Sequence, residues 1–400
     1  MIRKQLKRLS DNRNLAIIAI IAIVNALGYG IIIPIIFAYS QKFGLTVFQN
    51  GLLFALFSLC SFISAPFIGR LSDKYGRKPL LVLSIAGTAL SFFIAAFAPS
   101  AIFLFVARAL DGITAGNIPV ASAVISDTTD VKNRAKGFGI IGASFGFGFV
   151  FGPAISAATA GFGLHVPFII AGIISIIAVI LTVIFLPETN KHIGQVHEGK
   201  IFDVKKLVLS VFDKNVGMTL LISFIYNLAW GMFIVTYQPF SINVMHFTAN
   251  QIAIMFTIFG VVGLLMQAFV IHRIVKKFGE KKAFIGSLLI AAGSYFCLFF
   301  VRSIEFYILV ALFSSAANSF FLPLIQTILS KEADEKSQGS ILGLNASYVS
   351  IGNILGPIIA GVLSTAFLPL PFLIGSFVIL GCFVLAFGIK TSHMARQQAF

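Results

Sequence analysis

The sequence predicts an all-α integral membrane protein that crosses the bilayer twelve times. Of its 400 residues, 58% are hydrophobic and 11% are charged, and the mean hydropathy is +0.98. This composition is far from that of a soluble domain, and an apolar run of about 18 residues or more can span the hydrocarbon core. Barrel strands would be short and alternating instead. The twelve apolar runs lie at 15–38, 47–68, 79–98, 101–125, 137–160, 165–186, 216–239, 249–271, 283–301, 304–329, 339–364 and 371–389.

The distribution of charge predicts how these spans are oriented. The net charge is +15, and basic residues concentrate in the termini and the even-numbered loops, whereas the odd-numbered loops contain only Lys42 and Arg302. This positive-inside pattern places both termini in the cytoplasm, so the charge indicates topology and no nucleic-acid partner. The basic stretch 3–13 resembles the start of a signal peptide. No A-x-A-like cleavage site follows it and eleven further spans do, so we expect a retained first helix.

The spans form an internal duplication. Glycine and proline positions of the fifth span recur in the eleventh at a constant offset of 204 residues: Gly139, Gly148, Gly152 and Pro153 match Gly343, Gly352, Gly356 and Pro357. We therefore expect two parallel six-helix repeats, at 1–187 and 215–400.

The polar segment 188–214 separates the two repeats. Its apolar residues recur at helical spacing opposite a pair of lysines: Ile201, Val204, Val208, Val211 and Phe212 opposite Lys205 and Lys206. This pattern indicates an amphipathic helix on the cytoplasmic leaflet, and a flexible linker is the alternative.

Charged hairpins and glycine motifs carry a family resemblance. GRLSDKYGRKP at 69–79 follows the second span, and a weaker copy, HRIVKKFGEKK at 272–282, follows the eighth. The first matches the loop pattern G-x-x-x-D-x-x-G-R-K of the major facilitator superfamily at Gly69, Asp73, Gly76, Arg77 and Lys78. The fifth span is similar to that of the drug:proton antiporter branch, with Ser156 and Ala157 in place of two further glycines. R-x-x-x-G at Arg108 and Gly112, GYGIIIP at 28–34 and PET at 187–189 also resemble the tetracycline-efflux and multidrug members.

The resemblance implies a conformational switch at the first hairpin. In the family, the residue matching Asp73 meets the start of the eleventh helix, here near Gly339 and Ser340. The residue matching Arg77 pairs with an acid that ends the fourth helix, here Asp127. The alternative is that the charges only determine topology at a short turn, which Gly76 permits. The second hairpin has Lys276 where Asp73 would repeat, so we expect no equivalent switch there.

The glycine and proline positions shared by the fifth and eleventh spans predict close helix packing. Small residues let helix backbones approach in lipid, and Pro153 can kink its helix. The positions are Gly139, Gly148, Gly152, Pro153, Gly352, Gly356 and Pro357. We expect them to form a sliding seam between the halves, and ordinary small-residue packing is the alternative.

Arg108 and Asp111 are the candidates for proton coupling. Ionisable groups within a span are costly and usually face a cavity or a partner, and residues three apart on a helix can pair. Asp111 would carry a proton or bind a cation, with Arg108 favouring its ionised form. The alternative is a static structural pair. Related efflux proteins often carry an acid in the first span, where this chain has Asn25.

Substrate contacts are expected on the first, fourth, seventh and tenth helices, which line the cavity in the family. Amide and aromatic side chains there suit amphipathic or cationic organic molecules. The alternative is that the aromatic residues mark the membrane interface. The candidates are Asn25, Tyr29, Asn117, Tyr226, Asn227, Trp230, Asn318 and Gln326.

The leading interpretation is a secondary active transporter that exports an amphipathic drug-like compound in exchange for protons by alternating access. We expect a monomer in a bacterial inner membrane, whose partners are the substrate, protons and lipid. No cofactor or metal is expected, since Cys60, Cys297 and Cys382 lack metal-ligand spacing. Nor do the spans contain the nucleophile–base set of an enzyme. The alternatives are a carrier for a sugar, amino acid or other metabolite, and a non-transporting receptor or assembly partner.

Overall fold

The computed structural model describes residues 2–128, 131–190, 193–194, 204–333 and 337–389. Within these ranges the chain forms helices joined by turns, without β-strands. Eleven helical segments there are long and apolar enough to cross a membrane, and the shorter apolar helix Leu370–Ala386 follows them. The prediction of an all-helical membrane protein is confirmed. The cytoplasmic position of the termini stays a prediction.

Eight α-helices form the first half of the chain, with a short 3-10 turn at Ala160–Phe162. They are α1 (Ile2–Ile32), α2 (Ile36–Gln41), α3 (Val47–Tyr75), α4 (Arg77–Ala96), α5 (Ala101–Thr114), α6 (Asn117–Thr128), α7 (Val131–Thr159) and α8 (Val166–Phe185).

Eight further α-helices form the second half, with a π-helical turn at Met266–Val270. They are α9 (Val204–Ser210), α10 (Gly217–Asn243), α11 (Ala249–Leu265), α12 (Ile271–Phe278), α13 (Glu280–Phe300), α14 (Ile304–Glu332), α15 (Gln338–Ala366) and α16 (Leu370–Ala386). Helix α9 lies in the predicted linker, whose residue Ile201 is outside the described residues.

Two prolines divide helices that the hydropathy pattern treats as continuous. Pro34 lies in the turn between α1 and α2, so the helix of the first span ends at Ile32. Pro119 lies in the first turn of α6. A proline ring excludes the carbonyl four residues earlier, here that of Ala115, and the turn at 115–116 separates α5 from α6 there.

The chain divides into two compact units. The first contains Met1–Leu45, Leu59–Phe202 and Thr248–Gly260, and the second contains Thr46–Ser58, Asp203–Phe247 and Val261–Phe400. Helices α3 and α11 therefore each contribute residues to both units.

The first unit is built around α1, which packs against α6, α7 and α8. Its core is aliphatic and includes the fully buried Ile18 and Val124. Helices α1 and α7 approach so closely that a methyl group at Gly148 would lie 2.3 Å from the side chain of Ala26. The hydroxyl of Ser156 donates a hydrogen bond to the carbonyl of Ile31 at 2.7 Å. Small side chains thus hold this pair of helices together.

The second unit is built around α10, which packs against α15 and α16. Its core is aromatic: the rings of Phe233 and Tyr295 lie 5.2 Å apart, and those of Tyr237 and Tyr307 lie 5.5 Å apart. The hydroxyls of Ser241 and Tyr307 share a hydrogen bond of 2.6 Å. Burial of these large rings fixes the position of α10, which carries three predicted substrate contacts.

Candidate functional site

Arg77 connects three elements at the hairpin between α3 and α4. Its guanidinium lies 2.6 Å from the carboxylate of Asp73 and 3.0 Å from that of Asp127, and it donates a hydrogen bond of 2.6 Å to the hydroxyl of Ser72. The side chain of Arg77 is only 12% exposed. The structure thus brings together the arginine and both acids that the sequence analysis assigns to the switch.

A fourth residue, Glu188, holds the start of α4 in this hairpin. Its carboxylate accepts hydrogen bonds from the backbone N–H groups of Arg77 at 2.9 Å and Lys78 at 3.1 Å. These are unpaired donors of the first helical turn, and a negative charge is favourable beside them. Asn190 adds a hydrogen bond of 2.8 Å from its amide to the carbonyl of Asp73. The PET motif therefore caps the hairpin, a role that the sequence analysis does not assign.

The two glycines of the hairpin differ in what they permit. Gly76 has φ +105°, and a methyl group there would lie 2.4 Å from Oε2 of Glu188. Both the backbone conformation and the space therefore favour glycine. Gly69 lies within α3, and a methyl group there would meet nothing within 4 Å. Packing in the structure therefore does not require a glycine at position 69.

The second unit carries an ion pair at the equivalent position, with the charges reversed. Glu280, the first residue of α13, lies 2.6 Å from Lys331 near the end of α14. Lys331 follows Asp127 by 204 residues, and Glu280 follows Arg77 by 203. The adjacent Lys281 donates hydrogen bonds of 2.8 and 2.6 Å to the carbonyls of Phe387 and Ile389. The two pairs occupy matching positions in the two repeats, but each acid is replaced by a base and each base by an acid. Repeated residue types in the sequence therefore do not indicate the second pair.

Arg108 and Asp111 form a buried ion pair on α5. The guanidinium and carboxylate lie 2.8 Å apart, and the two residues are 5% and 8% exposed. Tyr29 of α1 lies within electrostatic range of both charges. The structure therefore brings the two proton-coupling candidates and one predicted substrate contact into a single cluster.

Asn25 and Asn117 lie at a second polar contact between α1 and the α5–α6 region. The amide nitrogen of Asn117 donates a hydrogen bond of 2.9 Å to the amide oxygen of Asn25. Asn117 is 2% exposed, and its own amide oxygen has no hydrogen-bond partner. Because buried acceptors are nearly always satisfied, this oxygen is a candidate acceptor for a ligand.

In the second unit, Tyr226 and Asn318 meet, whereas other predicted contacts remain apart. The phenol of Tyr226 donates a hydrogen bond to the amide oxygen of Asn318, and its ring stacks on Phe321 at 3.5 Å. Asn227 is buried, and its side-chain nitrogen donates a hydrogen bond of 2.8 Å to the carbonyl of Ser223. One donor of this amide is therefore already used within α10. Trp230, which is half-buried, stacks on Phe233 at 5.5 Å. Gln326 is exposed, and the structure joins it to none of the other candidates.

The glycines assigned to the seam pack inside their own units. Gly152 of α7 lies against Gly30 of α1, where a methyl group would come within 2.8 Å of the backbone. Gly352 and Gly356 of α15 lie against α10, with a methyl group at Gly356 2.3 Å from the carbonyl of Leu228. A methyl group at Gly139 would meet nothing within 4 Å. Pro153 and Pro357 lie inside α7 and α15. The role of these residues as a sliding seam stays a prediction.

An acid outside the predicted set, half-buried but with its carboxylate enclosed, lies at the end of α14. Both carboxylate oxygens of Glu332 are buried without a hydrogen-bond partner, and so is the nearby hydroxyl of Thr219. The surrounding sequence, SKEADEK, is typical of a solvated loop, so hydropathy gives no sign of this burial. Among the described residues, no group of three His, Cys, Asp or Glu side chains could hold a metal ion.

Comparisons with known proteins place the chain in a family. The model of the Major Facilitator Superfamily matches residues 18–248 and 219–399. Tetracycline resistance protein, class H, from Pasteurella multocida is 32% identical over 356 residues, covering 87% of this chain and 88% of that protein. Multidrug resistance protein 2 of Bacillus subtilis (strain 168) is 29% identical over 380 residues, covering 94% of each.

The fold is also similar to a solved structure. The human organic anion transporter MFSD10 (TETRAN) superposes with a TM-score of 0.73 and 20% identity, over 94% of this chain and 99% of that one. The resemblance inferred from the hairpin and the fifth span is confirmed. The chain therefore belongs to the major facilitator superfamily and is a multi-pass membrane transporter.

Proposed function

We propose that the protein is a proton-coupled antiporter that exports an amphipathic, drug-like compound from a bacterial cell by alternating access, acting as a monomer in the inner membrane. Two kinds of observation support this. Relatives at 32% and 29% identity are named as tetracycline and multidrug resistance proteins. The observation that carries the proposal is the Arg108–Asp111 pair, an ionisable pair buried inside a membrane span.

The buried pair can link proton binding to substrate binding through its net charge. With Asp111 ionised, the pair is neutral, and with Asp111 protonated, Arg108 leaves the pair with a charge of +1. Charges interact strongly where water is excluded. A proton on Asp111 therefore disfavours a nearby cationic compound, and the compound disfavours the proton. Such mutual exclusion is what exchange transport requires.

The proposed substrate contacts suit a molecule with both polar and aromatic parts. In the first unit, the unpartnered amide oxygen of Asn117 can accept a hydrogen bond, and the amide of Asn117 itself contacts Asn25. Tyr29 lies four residues after Asn25 on α1. In the second unit, the half-buried ring of Trp230 offers an aromatic face. Tyr226 and Asn318 lie next to each other there, and a substrate would have to displace their mutual hydrogen bond or the stacking of Tyr226 on Phe321. Aromatic faces bind organic cations and flat apolar rings with little dependence on exact shape.

The ion pairs at the hairpin between α3 and α4 supply the proposed control of the change between the two access states. Arg77 holds Asp73 and Asp127 within 3.0 Å, while Glu188 caps α4. Breaking such a cluster exposes charges that water can solvate, so the cost of opening is moderate. We propose that it is made and broken once in each transport cycle.

Transport by the purified protein in proteoliposomes tests the proposal. A proton gradient imposed across the vesicle membrane should drive accumulation of the cationic aromatic dye ethidium or of tetracycline. A pH-sensitive dye inside the vesicles should report proton movement in the opposite direction. We expect Asp111→Asn to abolish gradient-driven accumulation, because position 111 can no longer titrate. Exchange of labelled for unlabelled ethidium should persist but weaken, because Arg108 then leaves a permanent charge of +1 beside the substrate.

Glu305→Gln is the matched control, because it also neutralises one carboxylate, at an exposed position in the first turn of α14. It should transport as the parent protein does. Gradient-driven accumulation by Asp111→Asn at the parent rate would refute the proton-carrying role of Asp111. If no compound moves under any gradient, the antiporter proposal is refuted as well.

A further inference from the structure

We propose that a cavity between α9 and the start of α15 binds the anionic headgroup of a membrane phospholipid. The cavity has a volume of about 550 Å³ and lies entirely within the second unit. Apart from Ser340, near which the family resemblance places Asp73, the transport mechanism uses none of its residues. They are Lys205, Lys206, Leu209, Ser210, Phe212, Asp213, Val216, Ser337, Ser340, Ile341 and Leu344.

Helix α9 is held on α15 by hydrogen bonds from one of its faces. Lys206 donates to the hydroxyl of Ser340 at 2.8 Å, and Ser210 shares a hydrogen bond of 3.0 Å with the phenol of Tyr348. Tyr348 also donates to the carbonyl of Leu207. Lys206 and Ser210 are four residues apart and therefore lie on the same side of the helix. The wall of the cavity is thus a fixed element, although α9 has only seven residues.

The polar lining of the cavity matches an anionic group. Two lysines, Lys205 and Lys206, and the serines Ser337 and Ser340 are among the residues that line it. The single acid of the lining, Asp213, accepts hydrogen bonds from the backbone N–H groups of Asn215 and Val216 at 2.8 and 3.1 Å. Its charge is therefore directed at the start of α10. The oxygens of a phosphate group can accept charge-assisted hydrogen bonds from the ammonium groups of both lysines.

The apolar residues around the cavity indicate a lipid rather than a soluble anion. Val204, Val208, Leu209 and Phe212 are 62%, 57%, 54% and 77% exposed. A short helix with cations beside exposed apolar side chains is typical of a segment lying at a membrane surface. The positive-inside pattern predicts the cytoplasmic leaflet, where basic pockets beside membrane helices bind anionic headgroups. The cavity accommodates a headgroup, and the exposed side chains can contact the acyl chains.

Native mass spectrometry of the full-length protein released from nanodiscs tests this proposal. The nanodiscs contain phosphatidylcholine with increasing fractions of phosphatidylglycerol, and the measurement is the number of phosphatidylglycerol molecules retained. The parent protein should retain one tightly. Lys205→Gln with Lys206→Gln should weaken retention about 30-fold, since each cation near an anionic surface contributes about a factor of five.

Matched variants separate the site from general charge and from folding. Lys276→Gln with Lys277→Gln removes two adjacent exposed lysines of the same unit that do not line the cavity, and should change retention less than about twofold. Ile341→Trp should fill the cavity and reduce retention without any change in charge. Tyr348→Phe removes hydrogen bonds between α9 and α15 but keeps both lysines, and should leave retention within about threefold.

Three results would overturn the proposal. One is equal loss of retention in the two lysine-pair variants, which would indicate a non-specific surface charge. Another is full retention by both the Lys205/Lys206 variant and Ile341→Trp. The third is displacement of the lipid by equimolar inorganic phosphate or glycerol phosphate, which would indicate a site for a soluble anion.

Discussion

Replacing Glu188 with alanine should destabilise the hairpin between α3 and α4. The carboxylate accepts the backbone N–H groups of Arg77 and Lys78 at 2.9 and 3.1 Å. A side-chain cap contributes about 0.5–2 kcal/mol, and an acid beside a helix N-terminus about 0.3–1 kcal/mol. Glu188 is exposed, so solvent screens part of its charge. We expect a loss of about 1–2 kcal/mol, which lowers the melting temperature of a chain of 400 residues by roughly 1–3 °C.

Thermal unfolding of the purified protein in detergent, followed by far-ultraviolet circular dichroism, measures this loss. Glu188→Gln keeps the length and one acceptor oxygen and should lose about half as much. Glu305→Ala is the control, because Glu305 also lies in a first helical turn but makes no comparable cap. If Glu188→Ala melts no lower than Glu305→Ala, the capping role is wrong.

A double-variant cycle with Gly76 tests the contact itself. Alanine at position 76 is strained by φ 105° and ψ 155°, which costs about 1–3 kcal/mol, and its methyl group would also lie 2.4 Å from Oε2 of Glu188 and displace that carboxylate. In the Glu188→Ala background, only the backbone strain remains. The two losses should therefore sum to more than the loss of the double variant, and simple additivity would contradict the geometry.

Three further predictions concern stability and use the same melting assay. Glu280→Lys should lower stability by about 1 kcal/mol, because it places a like charge opposite Lys331. The additional change Lys331→Glu should restore the melting temperature. A double variant that melts no higher than Glu280→Lys would contradict the pairing. Gly148→Leu should cost about 3 kcal/mol or prevent folding, because α1 leaves no room for a side chain there. Gly139→Leu should be tolerated, and a larger loss of stability in Gly139→Leu than in Gly148→Leu would refute the packing. Glu332→Gln should raise stability at neutral pH by about 1 kcal/mol, since the carboxylate is buried with only the hydroxyl of Thr219 near it and is costly to ionise there. A lower melting temperature would show that the bond from Thr219 outweighs the burial.

The fold is predictable from the sequence because membrane spans are encoded locally. Each run of apolar residues must form its backbone hydrogen bonds internally, so its composition alone determines that it is a helix. The helix breaks near Pro34 and Pro119 are also encoded by local sequence, but a hydropathy average over a whole apolar run does not detect them. A proline inside an apolar run can end a helix, because it lacks the backbone N–H donor and its ring clashes with the preceding turn.

The contacts of the site are less predictable, because they join residues far apart in the chain. Arg77 and Asp127 could be paired in advance only because the family resemblance connects them. The capping by Glu188, which is 111 residues from its partner Arg77, has no local signal. The unpartnered amide oxygen of Asn117 depends on how α1 and α6 pack, and side-chain packing at that level is not encoded in residue type or spacing.

The reversed ion pair in the second unit has a consequence for how the two repeats can be recombined. Because Arg77 faces Asp127 and Glu280 faces Lys331, each hairpin is compatible only with the helix end from its own repeat. A chimera that copies the start of α13 into the first repeat would set a glutamate against Asp127. A segment swapped between the two repeats should therefore include both residues of its ion pair, and not the hairpin alone.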